Sequence, residues 1–291
     1  ASHTHSGPDY SNMWEEIDPS VPPYLVEKIL CAIGEALASR RPASIGWSEG
    51  QLPETAINRR DPEGPTDPAV TVLRIDGEDG NPIAAVYSYA CHTIVVGTQN
   101  RLLSPDFAGH ASEAVERAFG NGAPALFLNG AAGNINPVAF PYRERQNISA
   151  LSLRLAREGR PVTFRSHAEA RHLGLALAGE VLRVLAMTET VSEGRVASWR
   201  IDVDVPLKSG RDMDEFFRHM PAHPSYEASL RQSSMIQSEV MAIQIGETAL
   251  LALPGEPFVE IGLALQRPAG EPGAPRIRAI GYANDYPGYI L

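Results

Sequence analysis

The chain has 291 residues, 43% hydrophobic and 21% charged, with 35 acidic against 25 basic residues and a formal net charge of -10. A chain this long can remove about three-quarters of its unfolded surface from water, so its core needs neither disulfides nor a structural metal, and any metal it binds serves function. The scattered basic residues argue against nucleic acid, two distant cysteines (Cys31 and Cys91) against a disulfide framework, and the lack of a long apolar run against a membrane-spanning helix.

Both ends read as cut. The sequence opens Ala1-Ser2-His3 without Met and stops at Leu291 after an apolar segment, so a leader, an early strand or a further domain is expected outside it. No repeat or low-complexity linker divides 1–291, which predicts one α/β domain, a mixed sheet flanked by helices. Leu25, Ile29, Leu30, Ile33, Ala36 and Leu37 recur at helical spacing and predict a core-facing helix over 24–40, ended by Pro42. Strands at 70–75 and 83–89 around Gly77-Glu-Asp-Gly80 predict a hairpin. Ser104-Pro105-Asp106 supplies an N-cap, a first-turn proline and an acid for a helix over 106–119, closed by Gly120. A strand comes next at 125–128. Ser166 and Glu169 form a capping box ahead of an apolar-periodic helix reaching Met187. Trp199, Ile201, Val203 and Val205 alternate as a half-buried strand, whereas 208–235 is polar, poorly alternating and expected to be a lid or surface excursion. Strands at 240–245 and 248–253 flank Gly246-Glu247, a helix covers 257–266, and a strand at 276–282 closes the set.

Residues able to do chemistry collect at the strand exits. Cys91-His92, the small-residue loop from Asn129 to Pro137, Pro254-Gly255-Glu256 and Asn284-Asp285-Tyr286 all lie there, and ligands of open α/β sheets bind at the carboxyl ends of strands. Ser2-His3-Thr4-His5-Ser6 resembles another such exit. His3 and His5, two apart, face one side if extended, and can supply a metal ligand with a neighbouring proton donor. His92 joins His3 as a ligand candidate, and Glu256, before Pro257 at a helix start, is expected to be kept ionised by the helix dipole. Two histidines and one glutamate form a zinc set that leaves room for water. The 129–137 loop, with Gly133 and Asn134, offers backbone N–H groups to an anion or oxyanion, but it lacks a phosphate-loop lysine. No Gly-x-Ser-x-Gly elbow occurs. A barrel-type metal amidohydrolase needs two further strand-end histidines, and His110, His167 and His172 fall on predicted helices.

Seven stretches in order, SHTHSGP (2–8), INRR (57–60), ACHT (90–93), NRLLSPDFAGHA (100–111), GNINP (133–137), LPGE (253–256) and YANDYPGY (282–289), resemble the neutral/alkaline non-lysosomal ceramidases. The resemblance implies an α/β zinc amidase acting on an N-acyl, lipid-like substrate. It further implies zinc on His3, His92, Glu256 and Tyr286, His5 and Arg59 near the substrate carbonyl, and Tyr289 lining the site. In one respect the chain departs from the pattern. The family places a serine with a direct catalytic role in a Gly-Asp-Val-Ser-Pro-like loop, where this chain has Asn136, with Asn134 in place of the acid. An amide is no nucleophile, so the expected route is a zinc-activated water, with His5 moving protons, Arg59 stabilising the oxyanion and Asn136 donating a hydrogen bond. The alternative is a non-catalytic zinc- or lipid-binding relative that has lost the serine.

Overall fold

The computed structural model describes residues 2–8, 16–97, 100–138, 166–207, 214, 217–218, 222–232, 234–266 and 273–291. They fall into two compact units: Ala1–Gly7, Ala43–Ile201 and Glu239–Leu291 form the first, Pro8–Pro42 and Asp202–Ser238 the second.

In the second unit, α1 (Val21–Ala38) starts on Pro22 and Pro23, whose missing N–H groups cost nothing in a first turn. It carries the periodicity expected at 24–40, yet none of its residues is buried, and Ile29, Leu30, Ile33 and Leu37 are 50–62% exposed. Periodicity specifies a helix with an apolar stripe; it does not specify what that stripe packs against. Within 208–235, a helix runs from Pro224 to Gln232 (α4), while 208–213 lie outside the described residues.

The first unit begins with β1 (Ala43–Gln51), a strand not anticipated from the sequence, followed by the short β2 (Ala56–Asn58). The expected hairpin forms as β3 (Ala69–Gly77) and β4 (Pro82–Tyr89), with β1 antiparallel to β3. β5 (Ala125–Asn129) lies parallel to β4, which completes a mixed sheet in the order β1-β3-β4-β5. Helices α2 (Asp106–Phe119) and α3 (His167–Met187) cover this sheet. Phe107, Ala111 and Val115 of α2, Leu173, Leu177 and Val181 of α3, and Val72, Ala85 and Tyr87 beneath them form the main core, each large side chain contributing about 1.5–3 kcal/mol. Gly174 lets the helices approach, since a Cβ there would stand 2.6 Å from His110 Cβ and 2.7 Å from Phe107 O. His110, His167 and His172 thus sit in helices, away from strand ends.

The capping box at α3 forms, Ser166 Oγ accepting the Glu169 N–H at 3.1 Å. At α2 the expectation holds in part. Ser104 Oγ accepts the Asp106 N–H at 3.1 Å and Asp106 is the first-turn acid, but the cap position is Pro105, and Asp106 has φ 53°, its carboxylate accepting N–H groups of Val96 at 3.0 Å and Phe107 at 2.7 Å.

A second sheet has the order β11-β9-β8-β7, with β7 at Val196–Pro206, β8 at Met235–Ile245, β9 at Thr248–Ala252 and β11 at Arg276–Ile280. β8 and β9 form the expected hairpin and β11 runs parallel to β9. β7 is more exposed than predicted, Trp199 being 48% and Ile201 61% exposed, and among the described residues it is the outermost strand of this sheet. Two small ladders complete the unit: β2 with β6 (Ile135–Pro137), and β10 (Glu256–Pro257) with β12 (Tyr289–Ile290). Among the described residues no helix is long and apolar enough to cross a membrane.

Candidate functional site

The strand exits singled out in the sequence meet. Gly130 N–H donates to Tyr89 O at 3.1 Å, Gly281 N–H to Asn129 O at 3.0 Å, Leu253 N–H to Ile280 O at 2.8 Å and Tyr282 N–H to Gly255 O at 2.7 Å, which laces together the ends of β4, β5, β9 and β11. The amino-terminal segment is fastened onto this junction. His5 N–H donates to Thr93 O at 3.1 Å, Thr93 Oγ1 to Ser2 O at 2.5 Å, Thr4 Oγ1 to Ser104 O at 2.7 Å and Ser104 N–H to Ser6 O at 3.0 Å. Gly255 holds the next turn. Its φ of +60° and a space in which a Cβ would lie 2.2 Å from Gly288 O admit only glycine, and they set Glu256 in β10 beside Tyr289.

His3, His5, His92 and Glu256 converge there. The Nε2 atoms of His3 and His5 are 3.2 Å apart, His92 Nε2 is 3.0 Å from Glu256 Oε2, and His3 Nε2 is 3.6 Å from the same oxygen. Ligating nitrogens of the three histidines all lie within 4.8 Å of one another. His92 Nδ1 faces the carbonyls of Ala132 at 2.6 Å and Ile135 at 3.2 Å, so its proton is committed outward and Nε2 is the ring atom turned to the cluster. Donors 2.0–2.1 Å from a tetrahedral ion stand about 3.3–3.4 Å from each other. Glu256 Oε2 stands 3.0 Å from His92 Nε2 and 3.6 Å from His3 Nε2, on either side of that edge, so these donors suit a divalent ion in their chemistry and in the two separations made to the carboxylate.

Tyr286 donates its hydroxyl to Glu256 Oε1, and Tyr282 lies 3.4 Å from Oε2. Tyr282 was not picked out from the sequence, although it lies two residues past β11, at the same strand exit as Tyr286. Its ring stacks on His3 with centroids 4.1 Å apart. Both residues have left-handed backbones, φ 58° at His3 and 56° at Tyr282, a conformation costing bulky residues about 1–3 kcal/mol and held only where surrounding bonds enforce it.

Electrostatics leave the cluster ready to bind a cation at neutral pH. Burial is the main cause that lowers His3 to about 3, opposed by the Glu256 charge and reinforced by His92, His5 and Arg59. His5 reaches solvent on one edge, yet loss of water around its ring, with the neighbouring His92, holds it at about 4. Burial also pushes Glu256 up, but the hydrogen bond and charge of His92, the charge of His3 and the Tyr286 hydroxyl outweigh it and bring the carboxyl down to about 2. α5 (Val259–Leu265) begins three residues beyond Glu256, so the carboxylate lies ahead of the helix rather than in its first turn, where a helix-dipole effect was expected. Burial pushes the Tyr289 hydroxyl up to about 12, so it stays protonated.

Arg59 leaves β2 beside this cluster. Its backbone N–H donates to Asn134 O at 2.8 Å and its guanidinium to Gly133 O, and the guanidinium lies 5.2 Å from the Tyr289 ring centroid. The Tyr289 hydroxyl bonds both Arg59 and Glu256. Gly133 N–H is taken by Pro257 O at 2.8 Å, and Asn134 is committed to the fold, accepting Val259 N–H at 2.8 Å and donating to Glu260 at 2.9 Å. The two residues expected to face substrate instead tie the 129–137 loop to β10 and α5. Asn136 is different. It is 1% exposed, opposite Ile57 in the β2–β6 ladder, and neither amide atom has a hydrogen-bond partner among the described residues. Such a group costs about 1–3 kcal/mol unless a ligand or water satisfies it.

No family model matches the chain. Neutral ceramidase B of Dictyostelium discoideum is 33% identical over 131 residues, 38% of this chain and 18% of that protein. Neutral ceramidases of Pseudomonas aeruginosa and Mycobacterium tuberculosis are each 28% identical, over 157 and 140 residues, covering 47% and 41% of this chain and 23% and 22% of theirs. The crystal structure of the Pseudomonas aeruginosa neutral ceramidase matches with a TM-score of 0.73 at 19% identity, over all of this chain and 54% of that one. A ceramidase complexed with C2 matches with the same score and identity over 99% of this chain and 55% of its own. The chain therefore spans about half the length of these solved structures, and less than a quarter of each curated relative is aligned with it. In sequence it is a divergent homologue of the neutral ceramidases, and it shares their α/β fold.

Proposed function

We propose that the protein hydrolyses the amide bond of an N-acyl, lipid-like substrate with the help of a zinc ion. The observation that carries this reading is the meeting of His3, His5, His92 and Glu256 at the converging strand ends, each with a partner in the set 3.0–3.6 Å away. The names of its homologues supply the substrate class.

His3, His92 and Glu256 would hold the ion, with Tyr286 beside them. When bound, it supplies an electrophile for the carbonyl and acidifies water to a pKa of about 7. His5 reaches solvent at the edge of the cluster and is unprotonated at neutral pH, so it can take a proton from the attacking water and return it to the leaving amine. Arg59, fixed by Gly133 and Asn134, offers its charge to the oxygen that becomes negative as the carbonyl is attacked. Tyr289 lines the same edge. The buried amide of Asn136 is available to donate a hydrogen bond to the substrate.

The test is turnover of N-acyl amines of short and long acyl chain by the full-length protein, before and after chelation and after zinc is restored. Release of free fatty acid and amine that chelator abolishes and zinc restores is expected. A folded, zinc-loaded protein that cleaves none of these amides overturns the reading.

A further inference from the structure

The three imidazoles come from two segments far apart in the sequence, His3 with His5 and His92, and one residue joins them. Thr93 follows His92 and is fully buried. Its carbonyl accepts the His5 N–H at 3.1 Å, and its hydroxyl donates to Ser2 O at 2.5 Å, the carbonyl of the peptide that leads into His3. His3 has φ 58°, which a residue with a bulky side chain keeps only when its flanking peptides are pinned. On the far side the pin is Thr4 Oγ1 on Ser104 O at 2.7 Å; on the near side Ser2 O has the Thr93 hydroxyl and, at 3.4 Å, a long contact from Asn129 Nδ2.

We infer that Thr93 is a positioning residue for the cluster: its hydroxyl fixes the Ser2–His3 peptide, so that His3 stacks on Tyr282 and presents Nε2 3.6 Å from Glu256 and 3.2 Å from His5. The inference rests on the proposed metal reading for one of its two readouts only. Thr93→Val keeps the side-chain volume and the carbonyl that receives His5 and removes only the donor, whereas Thr93→Ser keeps the donor.

Two measurements on the full-length parent and both variants test it. In hydrogen exchange, Thr93→Val is expected to speed exchange of the peptide covering 2–8 about tenfold, with the remaining peptides and Thr93→Ser close to the parent. In competition with a chromophoric chelator, Zn²⁺ is expected to bind Thr93→Val about 10- to 100-fold more weakly than the parent, the range found when a residue that orients a ligand is lost. Parent-like exchange at 2–8 in Thr93→Val overturns the inference, as does an equal loss of Zn²⁺ affinity in both variants. A parent that binds no Zn²⁺ refutes the metal reading, and the exchange contrast then decides for or against Thr93 by itself.

Discussion

Replacing Glu256 by glutamine probes the electrostatic centre of the site. Glu256 is 2% exposed, with His92 Nε2 at 3.0 Å, Tyr282 at 3.4 Å and Tyr286 on its second oxygen. Its carboxyl lies at about 2 in the folded chain against an ordinary 4.5, burial being outweighed by the histidines. A folded value below the unfolded one means that the folded chain holds this proton less tightly, so the stabilisation is complete above pH 4.5 and is lost as pH falls toward 2. At about 1.36 kcal/mol per pKa unit, the difference of about 2.5 corresponds to about 3 kcal/mol above pH 4.5. Glu256→Gln preserves shape and removes the charge. Urea unfolding of the chelator-treated protein at pH 7 is expected to show a loss of about 3 kcal/mol, and the acid slope between pH 4.5 and 2 is expected to flatten. A variant within about 0.5 kcal/mol of the parent, or one that keeps the parent's acid slope, would refute the reasoning.

Asn136→Leu removes a buried amide that has no partner among the described residues, so it is expected to leave stability unchanged or raise it by about 1–2 kcal/mol while lowering turnover at least tenfold; thermal melts and amide hydrolysis on the same sample separate the two effects. Burial holds His3 at about 3 and His5 at about 4, so protons do not compete for them near neutrality. Of the two only His3 is a proposed ligand, so Zn²⁺ affinity measured by competition is expected to fall no more than about tenfold between pH 7.5 and 5.5, where two ordinary imidazole ligands would lose about a hundredfold. By the same sign the metal-free chain loses stability as pH falls from 6.5 toward 4, because its unfolded state takes up those protons first. Gly255→Ala meets both a φ of +60° and Gly288 O at 2.2 Å, and is expected to cost at least about 2 kcal/mol in denaturant unfolding, with Zn²⁺ affinity falling alongside.

The strand exits were legible because chemistry at an α/β sheet's carboxyl edge is dictated by topology, and His92, Glu256 and Tyr286 each sit just past a short apolar run. The Ser166 and Glu169 box was legible because a cap is a local bond. What escaped was decided by partners distant in sequence. The exposure of α1 depends on what lies against it, and Glu256 lies against histidines 164 and 253 residues earlier in the chain. Asn134 looked like a ligand-facing loop residue because nothing near it in sequence announces Glu260 and the Val259 N–H as its partners. Tyr282 carried a usable signal, the last residue of the strand expected at 276–282 in a stretch already marked, but an aromatic at a strand end reads as core until the fold brings His3 against it.

On the proposed reading a single ion is gathered by residues from the amino terminus, the end of β4 and the turn after β9. Metal analysis of the full-length parent beside His92→Ala, each loaded with excess zinc and then freed of unbound metal, decides whether it is. One zinc per chain in the parent and none in His92→Ala, with amide hydrolysis lost in step, is the predicted result. A parent without metal, or a His92→Ala variant that keeps its zinc, would contradict it.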